Sequence, residues 1–336
     1  MYLGIKGLIV TKAKVLITGG AGFIGSHVNK LLTQKGYKTV VFDNLSTGHR
    51  GFVKWGEFFK GDLGKKSDIS RCLSKYNVKA VMHFAAFTSV AESVSEPAKY
   101  YANNVVNTLN LLEALKNFGV KNFIFSSSAA VYGIPQKTPI PEGHVLCPIN
   151  PYGETKKMVE TFLPDYEAAY GMKYASFRYF NAAGADPDCE LGQWYDSFSH
   201  LIPLVLDAAV GRKRAVQVFG TDYDTPDGTC VRDYVHVADL AGAHVLALES
   251  LLAGGGSAAF NLGNGRGYSV LEVIRMVEEI TGRKIKVVKA GRRNGDAPVS
   301  VASSRKAEKI LKWKRKYFRL EDIIGTAWNW HKKIAK

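Results

Sequence analysis

A short strand, a glycine-rich turn and a helix follow one another near the start of the chain, and the turn reads TGGAGFIG from Thr18 to Gly25. Residues 15–17 are apolar and, with Thr18, predict a strand, and residues 26–35 have helical spacing and stop at Gly36. Glycines at Gly19, Gly22 and Gly25 allow the backbone to approach a pyrophosphate, whose charge then meets the positive end of the helix dipole. This stretch predicts the phosphate-binding turn of a dinucleotide-binding unit.

The same alternation of strand and helix continues outward from this turn. It predicts further strands at residues 39–43, 80–85, 122–126 and 174–179, with long helices at 97–117 and 151–169. After about Asn181 the alternation gives way to frequent Gly, Pro and Asp, and Ser269 with Glu272 forms a capping box for a later helix. The predicted fold class is α/β: a doubly wound parallel-sheet Rossmann domain with a smaller mixed α/β C-terminal substrate domain.

Composition narrows the classes of protein. The 336 residues are 46% hydrophobic and 22% charged, which excludes a mostly disordered chain. No apolar run is long enough to cross a bilayer and the first ten residues do not resemble a secretory signal, so we expect a soluble, cytoplasmic protein without a membrane partner. The four scattered cysteines have no zinc-ligand spacing, so we expect no metal. The net charge of +15 leaves a nucleic-acid partner open, but a late basic run is more often a solvated face, so none is expected.

A second motif places a tyrosine and a lysine four residues apart. Tyr152 and Lys156 lie at the start of the helix predicted at 151–169, so their side chains share one face. An ammonium beside a phenol favours the phenolate, which is a general base. Ser128 follows the strand predicted at 122–126, at the carboxyl edge where open α/β sheets bind ligands. Asp43 ends the second strand, at the distance where a carboxylate meets an adenosine ribose, which favours NAD over NADP; Arg50 nearby keeps NADP open.

Together these motifs resemble the extended short-chain dehydrogenase/reductase family, and more narrowly its UDP-glucose 4-epimerase branch. The resemblance runs from Lys14 to about Lys332, and its segments include FDNL (42–45), HFAA (83–86), RYFN (178–181) and VRDYVHV (231–237). It implies that residues 14–181 with a return segment at about 233–262 form the NAD-binding Rossmann domain. Residues of about 182–232 with 263–336 would then form the nucleotide-sugar-binding domain.

The resemblance implies that NAD is the cofactor and assigns its contacts. Lys156 would reach the nicotinamide ribose and Phe180 would lie close to the nicotinamide. Asp62 and Asn103 could instead only cap turns or helices. The implied cofactor contacts are Gly19, Gly22, Phe23, Ile24, Gly25, Asp43, Asn44, Asp62, Leu63, Phe84, Ala85, Ala86, Asn103, Lys156 and Phe180.

The resemblance also implies the reaction, in which Tyr152 removes the proton of the sugar 4-hydroxyl while hydride leaves C4, and the 4-keto sugar turns before hydride returns. Ser128 would bind the 4-hydroxyl, and Arg232 and Arg293 would pair with the diphosphate, although Asp296 could be a plain turn residue. The implied substrate contacts are Ser128, Tyr152, Asn181, His200, Leu201, Phe219, Arg232, Arg293, Asp296 and Ser300.

Several alternatives stay open beside a UDP-glucose 4-epimerase. Ala129 and Ala130 follow Ser128, where related 4,6-dehydratases carry an acid, so dehydration is disfavoured. Ser300 stands where some relatives place tyrosine, which leaves UDP-N-acetylglucosamine possible as a substrate, and a UDP-pentose or UDP-uronate is also open. A nucleic-acid or nucleotide-sensing binding protein is the alternative of a different class. The resemblance further implies a homodimer packed through residues 97–117 and 151–169.

Overall fold

The computed structural model describes residues 12–194, 200–293 and 296–335. Its strands are β1 (Lys14–Thr18), β2 (Lys38–Asp43), β3 (Glu57–Lys60), β4 (Ala80–His83), β5 (Asn122–Ser128), β6 (Lys173–Tyr179), β7 (Asn181–Ala183), β8 (Val216–Phe219), β9 (Val231–His236), β10 (Ala258–Leu262), β11 (Gly267–Ser269), β12 (Val287–Ala290) and β13 (Val299–Ser300). Its helices are α1 (Phe23–Gln34), α2 (Lys66–Tyr76), α3 (Val90–Ser95), α4 (Pro97–Tyr101), α5 (Asn107–Asn117), α6 (Pro151–Tyr170), α7 (Leu201–Ala209), α8 (Val237–Leu252), α9 (Val270–Thr281), α10 (Arg305–Ile310) and α11 (Leu320–Ile334). No helix in these described ranges is both long and apolar enough to span a membrane.

Seven parallel strands form the larger sheet in the order β10-β6-β5-β4-β1-β2-β3. The strand order reverses between β1 and β4, so the chain winds outward in both directions from this point. The carboxyl ends of β1 and β4, with Thr18 opposite His83, therefore border the crevice in which such sheets bind ligands. The predicted doubly wound α/β fold is confirmed.

Helices cover both faces of this sheet, which explains why its strands are apolar runs rather than alternating ones. Val15 and Ile17 of β1 pack in one core with residues of α1 and α8, whereas Leu16 packs in the other core with residues of α2, α5 and α6. All three side chains are at most 1% exposed. The two cores hold the carboxyl edge of the sheet in a fixed position.

A smaller sheet lies beside the larger one and shares its chain. β9 pairs with β7 and β13 in parallel and with β11 in antiparallel orientation, and β8 pairs with β12 separately. A third core joins β7, β8, β9, β11 and β12 to α7, α9 and α11. The predicted capping box is present, because the Ser269 side chain accepts from the backbone of Glu272 and the Glu272 side chain accepts from that of Ser269. Trp313, after α10, packs instead in the core of α1 and α8.

The helix predicted at 97–117 is present, but it is not a regular α-helix throughout. Between α4 and α5 the backbone forms a π-helical turn, Ala102–Val106, which accommodates one extra residue and brings Asn104 into the interior at 2% exposure. Helical spacing of apolar residues does not reveal such a turn, because the spacing on either side remains regular. The structure also adds elements for which the sequence analysis makes no prediction, among them β3, α2 and β10.

Candidate active site

The glycine turn between β1 and α1 fits its neighbours so closely that side chains are excluded. A Cβ on Gly19, whose φ is +71°, would lie 2.5 Å from the backbone nitrogen of Ala85, and a Cβ on Gly25 would lie 2.5 Å from the Gly19 oxygen. Gly22 is the N-cap of α1, and in the described part of the chain no side chain caps this helix or places an acid in its first turn. The first N–H groups of α1 therefore remain free for an anion.

Asp43 lies next to this turn at the end of β2 and is 8% exposed. Its two carboxylate oxygens accept backbone N–H groups of Ala21 at 3.0 Å and Leu45 at 2.8 Å. Burial raises the pKa of Asp43, and these two hydrogen bonds oppose that rise. An ionised carboxylate has further acceptor positions, so Asp43 can still receive hydroxyl groups of a ribose.

The remaining predicted cofactor contacts follow the same edge. Asp62 accepts the Gly64 N–H at 2.7 Å and the Asn44 amide at 3.1 Å, so it does cap a turn here. The Asn103 amide donates to Asn104 Oδ1 at 2.9 Å. The glycine cradle, the uncapped helix and the buried Asp43 together fit a dinucleotide. Phe84, Ala85 and Ala86 follow β4, and Phe180 follows β6.

The second motif lies at the start of α6, and local structure explains its position. The Asn150 side chain accepts the Gly153 N–H at 2.8 Å and Pro151 takes the first helical position, so the helix begins where the sequence predicts. A Cβ on Gly153 would lie 2.5 Å from the Ala130 carbonyl oxygen. This close approach packs the first turn of α6 against the end of β5 and brings Tyr152 into hydrogen-bond contact with Ser128.

Lys156 lies one turn further along α6 and is 3% exposed. Its Nζ donates to the Ser126 carbonyl oxygen at 2.8 Å and lies 5.0 Å from the centre of the Phe125 ring and 5.9 Å from that of Tyr152. Burial lowers the pKa of Lys156 to about 7, against an opposing attraction from Glu160. At neutral pH this lysine is therefore close to its titration midpoint.

The phenol of Tyr152 differs from the sequence-based expectation. Burial raises the pKa of Tyr152, and the hydrogen bond with Ser128 lowers it. The expected depression of the phenol pKa by Lys156 is wrong for the protein alone, because loss of hydration dominates when an anion is formed in a buried site. The arrangement still brings a phenol, a hydroxyl and an ammonium together at the carboxyl edge of the sheet.

His83 borders this group and is a satisfied core residue. Its Nδ1 lies 2.6 Å from Thr18 Oγ1, its Nε2 lies 2.9 Å from Thr108 Oγ1, and Thr108 donates to the Asn104 oxygen at 2.7 Å. Because the Thr108 proton is used, Nε2 carries the histidine proton and Nδ1 accepts from Thr18. Burial, and then the charge of Lys156, lower the pKa of His83 to about 3, so the ring is neutral.

The predicted substrate residues form two groups around β9. Arg232 donates to Asp296 Oδ1 at 3.3 Å and to the Ala297 oxygen at 2.7 Å, and it stands opposite Ser300 in the pairing of β9 with β13. The Asn181 amide donates to the Asp233 carbonyl oxygen at 3.0 Å. These contacts bring four of the predicted substrate residues together around β9.

Phe219 and Arg293 form the other group, with the guanidinium 3.7 Å from the ring centre. His200 is the N-cap of α7 and Leu201 is its first residue. Within the described ranges, no hydrogen bond or ion pair joins either residue to Arg232 or Arg293. The chain links the residues around β9 to Ser128 over a short distance in sequence. Tyr179 stands opposite Ser128 in the larger sheet, and it is followed by Phe180 and then by β7, which pairs with β9.

Three buried polar residues at the site were missed by the sequence-based prediction. Asn104 accepts the Phe87 N–H at 2.9 Å and donates to the Phe87 oxygen at 3.0 Å and to Thr155 at 3.2 Å, which ties the segment after β4 to α6. Asp233 accepts backbone N–H groups from the segments that follow β10 and β13. Glu160 repeats the four-residue spacing of Tyr152 and Lys156, and this spacing is the signal that could have found it.

One acidic cluster outside this site is paired with the side-chain ammonium group of a lysine. Asp186, Asp188 and Glu190 lie close enough together to ligate a metal ion. Each of them lies 2.8 Å from Lys30 Nζ, however, and Lys30 is itself buried. The cluster therefore serves to bind α1 to the segment after β7.

Comparison with known proteins gives consistent matches over nearly the whole chain. The model of the "NAD dependent epimerase/dehydratase family" matches residues 15–263. A UDP-glucose 4-epimerase of Rhizobium leguminosarum bv. trifolii is 49% identical over 319 residues, which cover 95% of this chain and 97% of the relative.

Solved structures are similar to the same extent. The UDP-glucose 4-epimerase of Brucella ovis in complex with NAD has a TM-score of 0.92 and 50% identity, over 95% of this chain and 98% of that one. The UDP-Glc/GlcNAc 4-epimerase of Campylobacter jejuni has a TM-score of 0.84 and 41% identity, over 96% of this chain and all (100%) of that one.

Proposed function

The chain belongs to the NAD dependent epimerase/dehydratase family, and we propose that it is an NAD-dependent 4-epimerase that interconverts UDP-glucose and UDP-galactose. One observation carries the assignment: Tyr152 contacts Ser128 at the carboxyl edge of the sheet, and the uncapped N-terminus of α1 lies at the same edge. Ala129 and Ala130 follow that serine, so the group that would protonate a leaving hydroxyl in a dehydratase is not there.

The residues divide the proton chemistry between them. Ser128 binds the sugar 4-hydroxyl and orients it towards Tyr152, whose phenolate oxygen takes the hydroxyl proton. Lys156 stabilises that phenolate with its positive charge and is held in place by the Ser126 carbonyl. When the 4-keto sugar presents its other face, Tyr152 returns the proton to the oxygen. Bound NAD supplies the acceptor and then the donor of the C4 hydride.

We assign cofactor binding to the glycine cradle and the edge residues named above. The N–H groups at Phe23 and Ile24 would bind the pyrophosphate, Asp43 the adenosine ribose, and Lys156 the nicotinamide ribose, with Phe180 at the nicotinamide. A carboxylate at Asp43 repels a 2′-phosphate, which supports NAD rather than NADP. Asp62, Asn103 and the other edge residues complete the proposed cofactor contacts.

We assign UDP binding to the residues around β9. Arg232 and Arg293 supply planar guanidinium groups for the diphosphate, and Phe219 backs Arg293. Asn181, His200, Leu201, Asp296 and Ser300 complete the proposed substrate contacts. This division agrees with the proposed domains, 14–181 with 233–262 for NAD and 182–232 with 263–336 for the sugar nucleotide, although α10 of the latter packs on the larger sheet.

A broader sugar range is the second candidate. Ser300 is small and half-buried, and it stands opposite Arg232 where the sugar side of the site is proposed to lie. A small residue there leaves room for an N-acetyl group at the 2-position, so we propose that UDP-N-acetylhexosamines are also accepted. The Campylobacter jejuni relative is named for both UDP-Glc and GlcNAc.

We also propose a cytoplasmic homodimer. Exposed apolar side chains lie along α3, the π-helical turn and α6, with Val94 63%, Val106 52% and Met158 36% exposed. Burying this patch against a second copy would remove it from water. The mass of the particle in solution tests the dimer, and Val94→Glu should reduce it to that of one chain.

The deciding experiment follows UDP-galactose by NMR with purified protein and no added NAD. Formation of UDP-glucose shows both 4-epimerisation and retained cofactor. UDP-N-acetylgalactosamine and UDP-xylose in parallel samples then define the sugar range. If none of the three isomerises even with NAD supplied, the proposed function is wrong.

A further inference from the structure

Three residues on one face of α6 each contact one of three consecutive serines at the end of β5. Tyr152 meets Ser128, Lys156 Nζ donates to the Ser126 carbonyl oxygen at 2.8 Å, and Glu160 Oε1 accepts the hydroxyl of Ser127. The helix residues are spaced four apart, so they lie one above the other along the helix. Tyr152, Lys156 and Ser128 have roles in the proposed reaction, whereas Glu160 and Ser127 have none.

Glu160 is held rigidly. Its side chain is 7% exposed, and Arg178 of β6, which is 6% exposed, donates from Nε to both carboxylate oxygens at 3.1 and 3.0 Å. Arg178 is fixed in turn by bonds to the Tyr132 hydroxyl at 2.8 Å and the Glu142 oxygen at 2.9 Å. A buried ion pair is weak evidence for a purely stabilising role, because its desolvation offsets much of the attraction.

The charge of Glu160 lies one helical turn from Lys156. The titratable groups that face Lys156 are Glu160 and Tyr152 from α6 and His83 from β4, and the Phe125 ring covers it from β5. His83 is neutral, so Glu160 is the anion among them. Arg178 neutralises part of its field. Burial lowers the pKa of Lys156 and Glu160 raises it.

We propose that Glu160 is a positioning residue for the catalytic pair, which holds Lys156 in its charged form and fixes Ser127 so that Ser126 and Ser128 keep their distances to Lys156 and Tyr152. This rests on the proposed function, because it assigns Glu160 to the same reaction. Glu160 itself touches neither substrate nor the reacting atoms.

Glu160→Gln tests the charge while keeping the shape and an oxygen for Ser127. We expect kcat to fall about tenfold with KM nearly unchanged, and the alkaline limb of the pH profile of kcat to move about one unit towards acid, because Lys156 loses its proton more easily. A folded variant whose alkaline limb coincides with that of the wild type overturns the proposal.

Ser127→Ala tests the positioning without disturbing the ion pair. We expect a similar fall in kcat with an unshifted alkaline limb, and unchanged kcat overturns this part of the proposal. This variant also tests the proposal if Glu160→Gln fails to fold. We expect Glu160→Gln to fold, because a cavity of about 260 Å³ lined by residue 160 and Arg178 lets water reach the guanidinium that loses its partner. Glu167→Gln is the matched control. Glu167 lies on the same helix as Glu160 and forms an ion pair with Lys173 of β6 at 2.5 Å, and its loss should leave kcat and the pH profile of kcat unchanged.

Titration of the Lys156 ammonium separates this proposal from the proposed function, because it requires no turnover. Side-chain NMR resonances of labelled lysine, compared with those of the Lys156→Met variant, identify this one group. We expect the pKa of Lys156 to be lower in Glu160→Gln than in the wild type, since the attraction of the Glu160 carboxylate for the ammonium is lost. An inactive wild type would contradict the proposed function, whereas an unchanged Lys156 pKa would contradict the role of Glu160.

Discussion

Lys156 Nζ lies 2.8 Å from the backbone oxygen of Ser126, so the ammonium is fixed to the end of β5 rather than to a carboxylate. The ring of Phe125, 5.0 Å away, closes the same side. A carbonyl dipole and a ring face attract a cation without neutralising it. The charge therefore remains available to a phenolate, and the folded state bears a desolvation penalty for it.

Because of this desolvation penalty, we expect Lys156→Met to stabilise the folded protein and to abolish its activity. The pKa of Lys156 is lowered from 10.5 to about 7 on folding, so between these values the unfolded chain binds more protons and the free energy of unfolding rises with pH. In cofactor-free protein we expect the variant to be more stable than the wild type by about 2 kcal/mol at about pH 6. The gain should shrink by about pH 9, as measured by thermal unfolding; a pH-independent gain contradicts it.

Tyr152→Phe should reduce kcat by about 10²–10⁴-fold, because the phenyl ring keeps the packing but cannot take a proton. Ser128→Ala should cost about a hundredfold, since one oriented hydroxyl is lost. Steady-state conversion of UDP-galactose measures both. Tyr170→Phe is the control at the other end of α6, where the side chain is 39% exposed, and should keep wild-type kcat.

Gly25→Ala should impair cofactor retention, because its Cβ would lie 2.5 Å from the Gly19 oxygen and displace the turn. We expect purified protein to carry at least about tenfold less NAD, measured after denaturation. Gly242→Ala in α8 is the matched control. Its Cβ meets no atom within 4 Å, so NAD content should be unchanged and stability should rise by about 0.5–1 kcal/mol.

Ser300→Tyr should selectively abolish activity on UDP-N-acetylhexosamines. A phenol opposite Arg232 would occupy the space proposed for the N-acetyl group while leaving that for a hydroxyl. The ratio of kcat/KM for UDP-N-acetylgalactosamine to that for UDP-galactose should fall by about a hundredfold. If both activities fall in proportion, residue 300 does not select the sugar.

Asp233→Asn should destabilise the smaller sheet by about 2–4 kcal/mol. The Asp233 carboxylate is fully buried and accepts the N–H groups of Asn264 at 2.6 Å, Gly265 at 2.9 Å and Ala302 at 3.1 Å. An amide would turn a donor towards one of them. Chemical denaturation measures the loss, and the exposed Asp224→Asn, by contrast, should change stability by less than about 0.5 kcal/mol.

The larger sheet could be predicted from the sequence because its signals are local. A glycine turn between an apolar strand and an amphipathic helix specifies its own surroundings, and Asn150 with Pro151 marks the start of α6 in the same way. β3 was missed because it is a short edge strand whose four residues, EFFK, do not alternate in polarity.

The contacts of the supporting residues could not be predicted, because their partners are distant in sequence. The spacing of Glu160 from Lys156 marks it as a candidate, but only the fold brings Ser127 and Arg178 to it. Asn104 is buried only because the π-helical turn rotates it inward. The phenol pKa depended on burial, which spacing along a helix does not report.

The hydrogen bonds around His83 all run in one direction, from Thr18 through the imidazole and Thr108 to the Asn104 carbonyl. A proton wire needs a terminus that can accept a proton, and a backbone amide oxygen is not one. This chain of hydrogen bonds therefore does not conduct protons, although Lys156 is close enough for its charge to lower the pKa of His83. Exchange of the Tyr152 proton with bulk solvent therefore has no route along this chain of hydrogen bonds.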